Sequence, residues 1–149
     1  MKTFKSNCPE IELKLKRGEV KKMKIVTSKD AFTALKLFFD QDTIELTETF
    51  IALFLNRSNN TIGWLKVSTG GITGTTADVR IILATALKTA ATSLILAHNH
   101  PSGNLRPSDC DITLTKKIKT AALTMDIIVI DHVIVTEESY FSFADEGML

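Results

Sequence analysis

At 149 residues, 44% hydrophobic and 23% charged, with a formal net charge of +1, the chain has the size and composition of one soluble globular domain. No stretch approaches the ~18 consecutive apolar residues of a membrane span, and "MKTFKSNCPEIELKLKRGE" lacks the apolar centre of a secretory signal. Two cysteines, Cys8 and Cys110, exclude a disulfide framework and point to a reducing, cytoplasmic setting.

Charge is concentrated at the start. Residues 1–24 hold eight Lys/Arg against three Glu, a net of +5, so residues 25–149 carry −4. A basic arm over residues 1–27 raises the expectation of phosphate contact with DNA. Phe4 is the one aromatic side chain among its lysines, too few for a base-stacking platform, so a solvated tail is the simpler reading.

The rest, residues 28–149, reads as a single domain. "SKDAFTALKLFFD" (28–40) predicts a helix with Ser28 as N-cap and Ala31, Leu35, Phe38 and Phe39 on one stripe. "ETFIALFLN" (48–56) predicts a strand. Phe50, Ala52 and Phe54 share one face with Glu48, while Ile51, Leu53 and Leu55 take the other. With both faces apolar, the strand belongs in the middle of a covered sheet. "RSNN" turns the chain into "TIGWLKVST" (61–69), a hairpin partner. "STGGITGTT" lacks the lysine of a phosphate loop and reads as an edge beside a cleft.

"ADVRIILATALKTAA" (77–91) predicts a second helix burying Ile82, Leu83, Ala86, Leu87 and Ala90, and "TSLILAH" (92–98) a short buried strand. A third helix is expected from about Ser108 to Met125, with Leu114, Ile118, Ala121, Ala122 and Met125 inward and Lys116, Lys117 and Lys119 in solvent. "DIIVIDHVIVT" (126–136) and "YFSFA" (140–144) close the sheet. The expected order is α-β-β-α-β-α-β-β, a mixed α/β fold with helices flanking one sheet.

The chemistry gathers at "LILAHNHPSGNLRPSDCD". Alternate strand residues emerge on one face, so His98 and His100 can aim imidazole nitrogens at one ion, while Asn99 points to the opposite face. Pro101 and Gly103 stop the strand and reverse the chain into the third helix. Asp111, one turn in, supplies an oxygen, and three protein ligands leave a zinc ion one open position. Cys110 is a rival ligand, but it projects about 100° round the helix from Asp111, and the carboxylate is preferred. Ser108-x-x-Asp111 is also a capping-box pattern, a role compatible with ligation. A hydrogen-bonded, inert strand end is the alternative reading of the two histidines. The literal tripeptide His-Asn-His has no bearing on HNH nucleases, whose named residues lie far apart in sequence.

His98-Asn99-His100-Pro101, six residues, then Ser108-x-x-Asp111 resembles the JAMM motif of the JAB/MPN metallopeptidase superfamily. "LILAHNHPSGNLRPS", "DHVIVT" and "YFSFADEG" resemble its RadC branch, named for DNA repair, over roughly residues 42–149. The resemblance implies a JAB/MPN architecture and a zinc-dependent hydrolase of peptide or isopeptide bonds. It implies His98, His100 and Asp111 as zinc ligands, Glu48 as the carboxylate that handles the proton of water, and Ser108 as oxyanion support. Glu45 is a neighbouring but weaker candidate than Glu48. Asn99 stands where deubiquitinating members carry Ser or Thr, so ubiquitin-type substrates are not implied. The helix-hairpin-helix module of full-length RadC proteins is not evident. His132, in an apolar strand, is expected to be a hydrogen-bonded core histidine.

Two other functions compete. A non-catalytic or DNA-associated module with a structural or vestigial metal fits the basic arm. A zinc nucleotide deaminase expects a His/Cys-x-Glu together with a Pro-Cys-x-x-Cys pair, and the sequence lacks the Pro-Cys-x-x-Cys.

Overall fold

In a computed structural model, which describes residues 21–71 and 76–149, the elements follow the expected order. They are α1 (Ser28–Lys36), β1 (Thr49–Leu55), β2 (Thr61–Thr69), α2 (Val79–Lys88), β3 (Ser93–Asn99), α3 (Asp109–Leu123), β4 (Ile128–Val135) and β5 (Tyr140–Ser142). The five strands form one mixed sheet in the order β2-β1-β3-β4-β5. β1 is antiparallel to both β2 and β3, β3 and β4 are parallel across the α3 crossover, and β5 returns antiparallel.

The two apolar faces of β1 sort the helices. Ile51, Leu53 and Leu55 pack with Ile95, Ala97, Val133 and the α1 residues Ala31, Ala34 and Leu35. Phe50, Ala52 and Phe54 pack with Leu94, Leu96, Ile82 and Ala86 of α2, and Ile118 and Ala122 of α3. The sheet is thus sandwiched, with α1 on one side and α2 and α3 on the other, which is why β1 and β3 read as continuous hydrophobic runs. The β1–β2 turn uses Asn59 at φ 56°, tolerated by its short polar side chain, and the Asn56 side chain accepts the backbone N–H groups of Ser58 and Asn60. Ile25 is buried against this core, and the backbone of residues 23–25 hydrogen-bonds to Asn59 and Thr61.

Several local expectations are corrected. Thr27, not Ser28, caps α1: its hydroxyl accepts the Asp30 N–H while Asp30 accepts the Thr27 N–H. α1 ends at Lys36, so Phe39 reaches the core from the following turn, and Phe38, partly buried against that core, also stacks on Trp64 at 4.8 Å. Leu87 and Ala90 are exposed because the covered stripe of α2 runs along Val79, Ile82, Leu83 and Ala86. Ala90 lies past its end at φ 52°, the kink that returns Ala91 to the core. Met125 likewise falls beyond α3 and is exposed, whereas Lys116, Lys117 and Lys119 face solvent as expected. Most of the glycine-rich "STGGITGTT" motif is placed only up to Gly71; residues 72–75, like the basic residues 1–20, lie outside the described residues. No helix among the described residues is long and apolar enough to cross a membrane.

Candidate metal centre

The carboxyl end of β3 carries the site. His98 pairs in register with Phe50 of β1 and Ile134 of β4 and is completely buried. His100 follows just past the strand end, held by its own N–H to the Val135 carbonyl. A turn then closes from the Gly103 N–H to the His100 carbonyl, with Gly103 at φ 76°, a conformation that suits glycine. The reversal delivers Ser108 as N-cap of α3. Its Oγ accepts the Asp111 N–H at 3.1 Å and Asp111 Oδ2 accepts the Ser108 N–H at 2.7 Å, so the capping box is formed.

That capping box aims the Asp111 carboxylate at the histidines. His98 Nε2 and His100 Nε2 are 2.9 Å apart, and Asp111 Oδ1 and Oδ2 lie 3.3 Å and 3.6 Å from them. A tetrahedral ion with bonds of ~2.1 Å holds its ligand atoms about 3.4 Å from one another. The nitrogen–nitrogen gap and the gap from each histidine to its nearer Asp111 oxygen lie around that value, and two nitrogens with one carboxylate are a donor set suited to zinc. The candidate donors are His98, His100 and Asp111, whose potential ligating atoms all fall within 4.8 Å of one another.

The electrostatics express the same convergence. Burial pushes the Asp111 pKa upward, but hydrogen bonds from His100 and His98 outweigh it and hold the carboxylate well below its usual range. His100 is raised, chiefly by its hydrogen bond to Asp111, with burial opposing. Two imidazole nitrogens at 2.9 Å need a proton or a cation between them.

Glu48 stands beside this cluster. It precedes β1 and is half-buried; continuing the Phe50–His98 register by two residues places it opposite His100. Its charge adds to the raised pKa of His100, as the smallest of the named causes. Ser108 is exposed at the helix start, adjacent to the carboxylate it helps orient. Cys110 is exposed and falls outside the donor cluster, and Glu45 is exposed in the turn before β1.

Three residues that sequence reasoning left without a role support the site. His132 is a buried, hydrogen-bonded core histidine as expected, but its partner is His98, Nε2 to Nδ1 at 2.8 Å. Burial drives its pKa well below that of a free imidazole, keeping it neutral. Its other nitrogen meets Thr115 Oγ1 at 2.6 Å, and its ring stacks on Phe143 at 4.7 Å. Asn99, on the opposite face of β3, accepts the Thr49 N–H and donates to the carbonyls of Ile44 and Thr47, clamping the segment that carries Glu48. The one legible signal for Thr115 was its position four residues after Asp111, on the same helix face.

Fold and donors together define a mixed α/β domain with a candidate metal centre at the end of a covered strand. The chain belongs to the RadC-like JAB domain family, whose match spans residues 25–148 and so begins upstream of the stretch that carries the motif resemblance. It is 49% identical over 130 residues to a UPF0758 protein of Flavobacterium johnsoniae, an alignment covering 87% of this chain and 55% of that protein. A UPF0758 protein of Porphyromonas gingivalis is 46% identical over 103 residues, covering 68% of this chain and 45% of that one. One from Aquifex aeolicus is 36% identical over 133 residues, covering 89% and 56%. The chain spans about half the length of the curated relatives it matches.

Proposed function

We propose that this domain is a cytoplasmic zinc-dependent hydrolase of peptide or isopeptide bonds. The observation that carries the reading is the convergence of His98 Nε2, His100 Nε2 and the Asp111 carboxylate on one point at the end of β3. These three residues would hold the ion. Zinc bound there supplies Lewis acidity, polarising a carbonyl and lowering the pKa of water toward ~7.

The remaining work falls to this chain's own groups. The Glu48 carboxylate takes a proton from the attacking water and returns it to the departing amine nitrogen, one group serving as base and then acid. The Ser108 hydroxyl donates to the oxyanion that develops on the carbonyl, while its oxygen remains the N-cap acceptor. The low exposure of His98 and the Phe50 ring stacked over it at 6.0 Å keep bulk water from one side of the donor set.

Metal analysis of the full chain should find about one zinc per molecule, lost in His98→Ala and Asp111→Ala. Glu48→Gln should keep the zinc and lose hydrolysis across a panel of peptide and isopeptide substrates. No metal under zinc-replete conditions, or an unaffected Glu48→Gln, would overturn the reading. A DNA-associated role rests on the +5 charge of residues 1–24. It predicts salt-sensitive DNA binding that disappears when those residues are removed.

A further inference from the structure

A row of buried hydrogen bonds leads away from the donor cluster and returns to it. Thr115, one turn after Asp111 in α3, donates its hydroxyl proton to the Asp111 carbonyl at 2.6 Å. A threonine hydroxyl has one proton, so toward His132 Nδ1, 2.6 Å away, Thr115 Oγ1 can only accept. His132 Nδ1 therefore carries the ring's N–H. In this completely buried, neutral ring the other nitrogen, Nε2, is a lone pair. That lone pair faces His98 Nδ1 at 2.8 Å and must be met by a proton, so His98 is the Nδ1–H tautomer. Its Nε2 lone pair is then directed at His100 and Asp111. His100 is oriented more simply, its Nδ1–H donating to the Asn104 carbonyl at 2.6 Å.

We infer that Thr115 and His132 are positioning residues that fix the tautomer of His98, so that the first turn of α3, which supplies Asp111, also sets which nitrogen of His98 is offered to a metal. The order of donation is Thr115 to the Asp111 carbonyl, His132 to Thr115, and His98 to His132. Each proton stays on its own atom, and no proton is transferred. A ring of the wrong tautomer would place an N–H where the ligand lone pair belongs. Phe143 and Phe50 pack against the His132 ring, at 4.7 Å and 5.6 Å between centroids, and restrict its rotation. Contacts of this kind, one bond beyond the ligands, typically alter metal affinity by about 10–100-fold.

The affinity arm of the test rests on the metal-site reading; the tautomer arm does not. Nitrogen-15 NMR of the metal-free full chain, labelled at histidine, reads the tautomer directly. The expected result is His98 as the Nδ1–H form in the wild type. Thr115→Val removes the acceptor for His132 and leaves that ring free to present an N–H to His98. His98 should then become mixed or Nε2–H, with zinc affinity, measured by competition with a chromophoric chelator, weakened about 10–100-fold. His132→Phe should weaken zinc similarly, and Thr115→Ser should restore both readouts, which a merely space-filling role would not require. Finding His98 as Nε2–H in the wild type would overturn the inference whether or not the variants fold. So would folded Thr115→Val and His132→Phe proteins with unchanged tautomer and affinity. A wild type that binds no zinc would defeat the metal reading and leave the inference to the NMR result.

Discussion

Asn99 is buried on the α1 side of β3, back to back with the histidines, and its amide gathers three hydrogen bonds from one segment. Oδ1 accepts the Thr49 N–H at 2.7 Å, and Nδ2 donates to the carbonyls of Ile44 at 2.6 Å and Thr47 at 2.9 Å. At a net ~1 kcal/mol per bond, Asn99→Ala should cost about 3 kcal/mol. At ~2–4 °C per kcal/mol for a chain of this size, that is a fall of about 6–12 °C in Tm. Asn99→Asp has nearly the same shape and keeps the acceptor for Thr49. It turns the donor into an oxygen facing two carbonyl oxygens in a buried place, so it should cost at least as much as alanine. Urea unfolding measures both. Because the amide points away from the donor cluster, zinc binding should stay near wild type while any Glu48-dependent turnover falls. If both variants unfold within ~0.5 kcal/mol of wild type, the amide does not hold the segment and the reasoning fails.

Phe143→Ala empties a fully buried ring site against His132 and should destabilise by about 3–5 kcal/mol in a denaturant titration; a loss below ~1 kcal/mol would contradict the packing. Ser108→Ala removes the cap of α3 and should cost about 1 kcal/mol, while Ser108→Asp, still a capping residue, should retain most of it. In the metal-free protein, the raised His100 contributes stability fully below its unfolded value of 6.5 and loses it as pH rises through its folded value. The lowered Asp111 contributes above its unfolded value of 3.8 and loses it as pH falls through its folded value. Their joint support is therefore fullest between ~3.8 and ~6.5, and declines on the alkaline side. Asp111→Asn should flatten that alkaline decline in pH-dependent melting curves, and an unchanged profile would reject the coupling.

Much of the site was written locally. His98 lies on a strand and His100 just past its end, and a two-residue period carried one step on puts both on one face wherever the strand lies. Ser108 and Asp111 form a capping box, which needs only the first turn of a helix. The turn that joins the two elements is fixed by Pro101 and Gly103. The same locality explains the element order, since each helix declared itself through its periodicity and each covered strand through a short apolar run. It also explains why the element ends slipped. Thr27 and Ser28 are both acceptable caps, and the choice falls to Thr27 because its hydroxyl meets Asp30. Leu87 satisfied the helical stripe but stays half exposed.

His132 marks the limit. Val129 packs toward α2 and α3, and strict alternation from there would turn His132 toward α1. The β3–β4 register instead skips Ile130, passing from Leu94–Val129 to Ile95–Asp131. That extra residue moves Val133 and Val135 to the α1 side and His132 to the side of Thr115 and His98. The sequence by itself determined the candidate donor set, because strand period and helix cap are short-range rules. Only the tertiary structure decided that a histidine thirty-odd residues away would stand behind His98, because a bulge answers to the pairing of two strands and leaves no periodic trace in either.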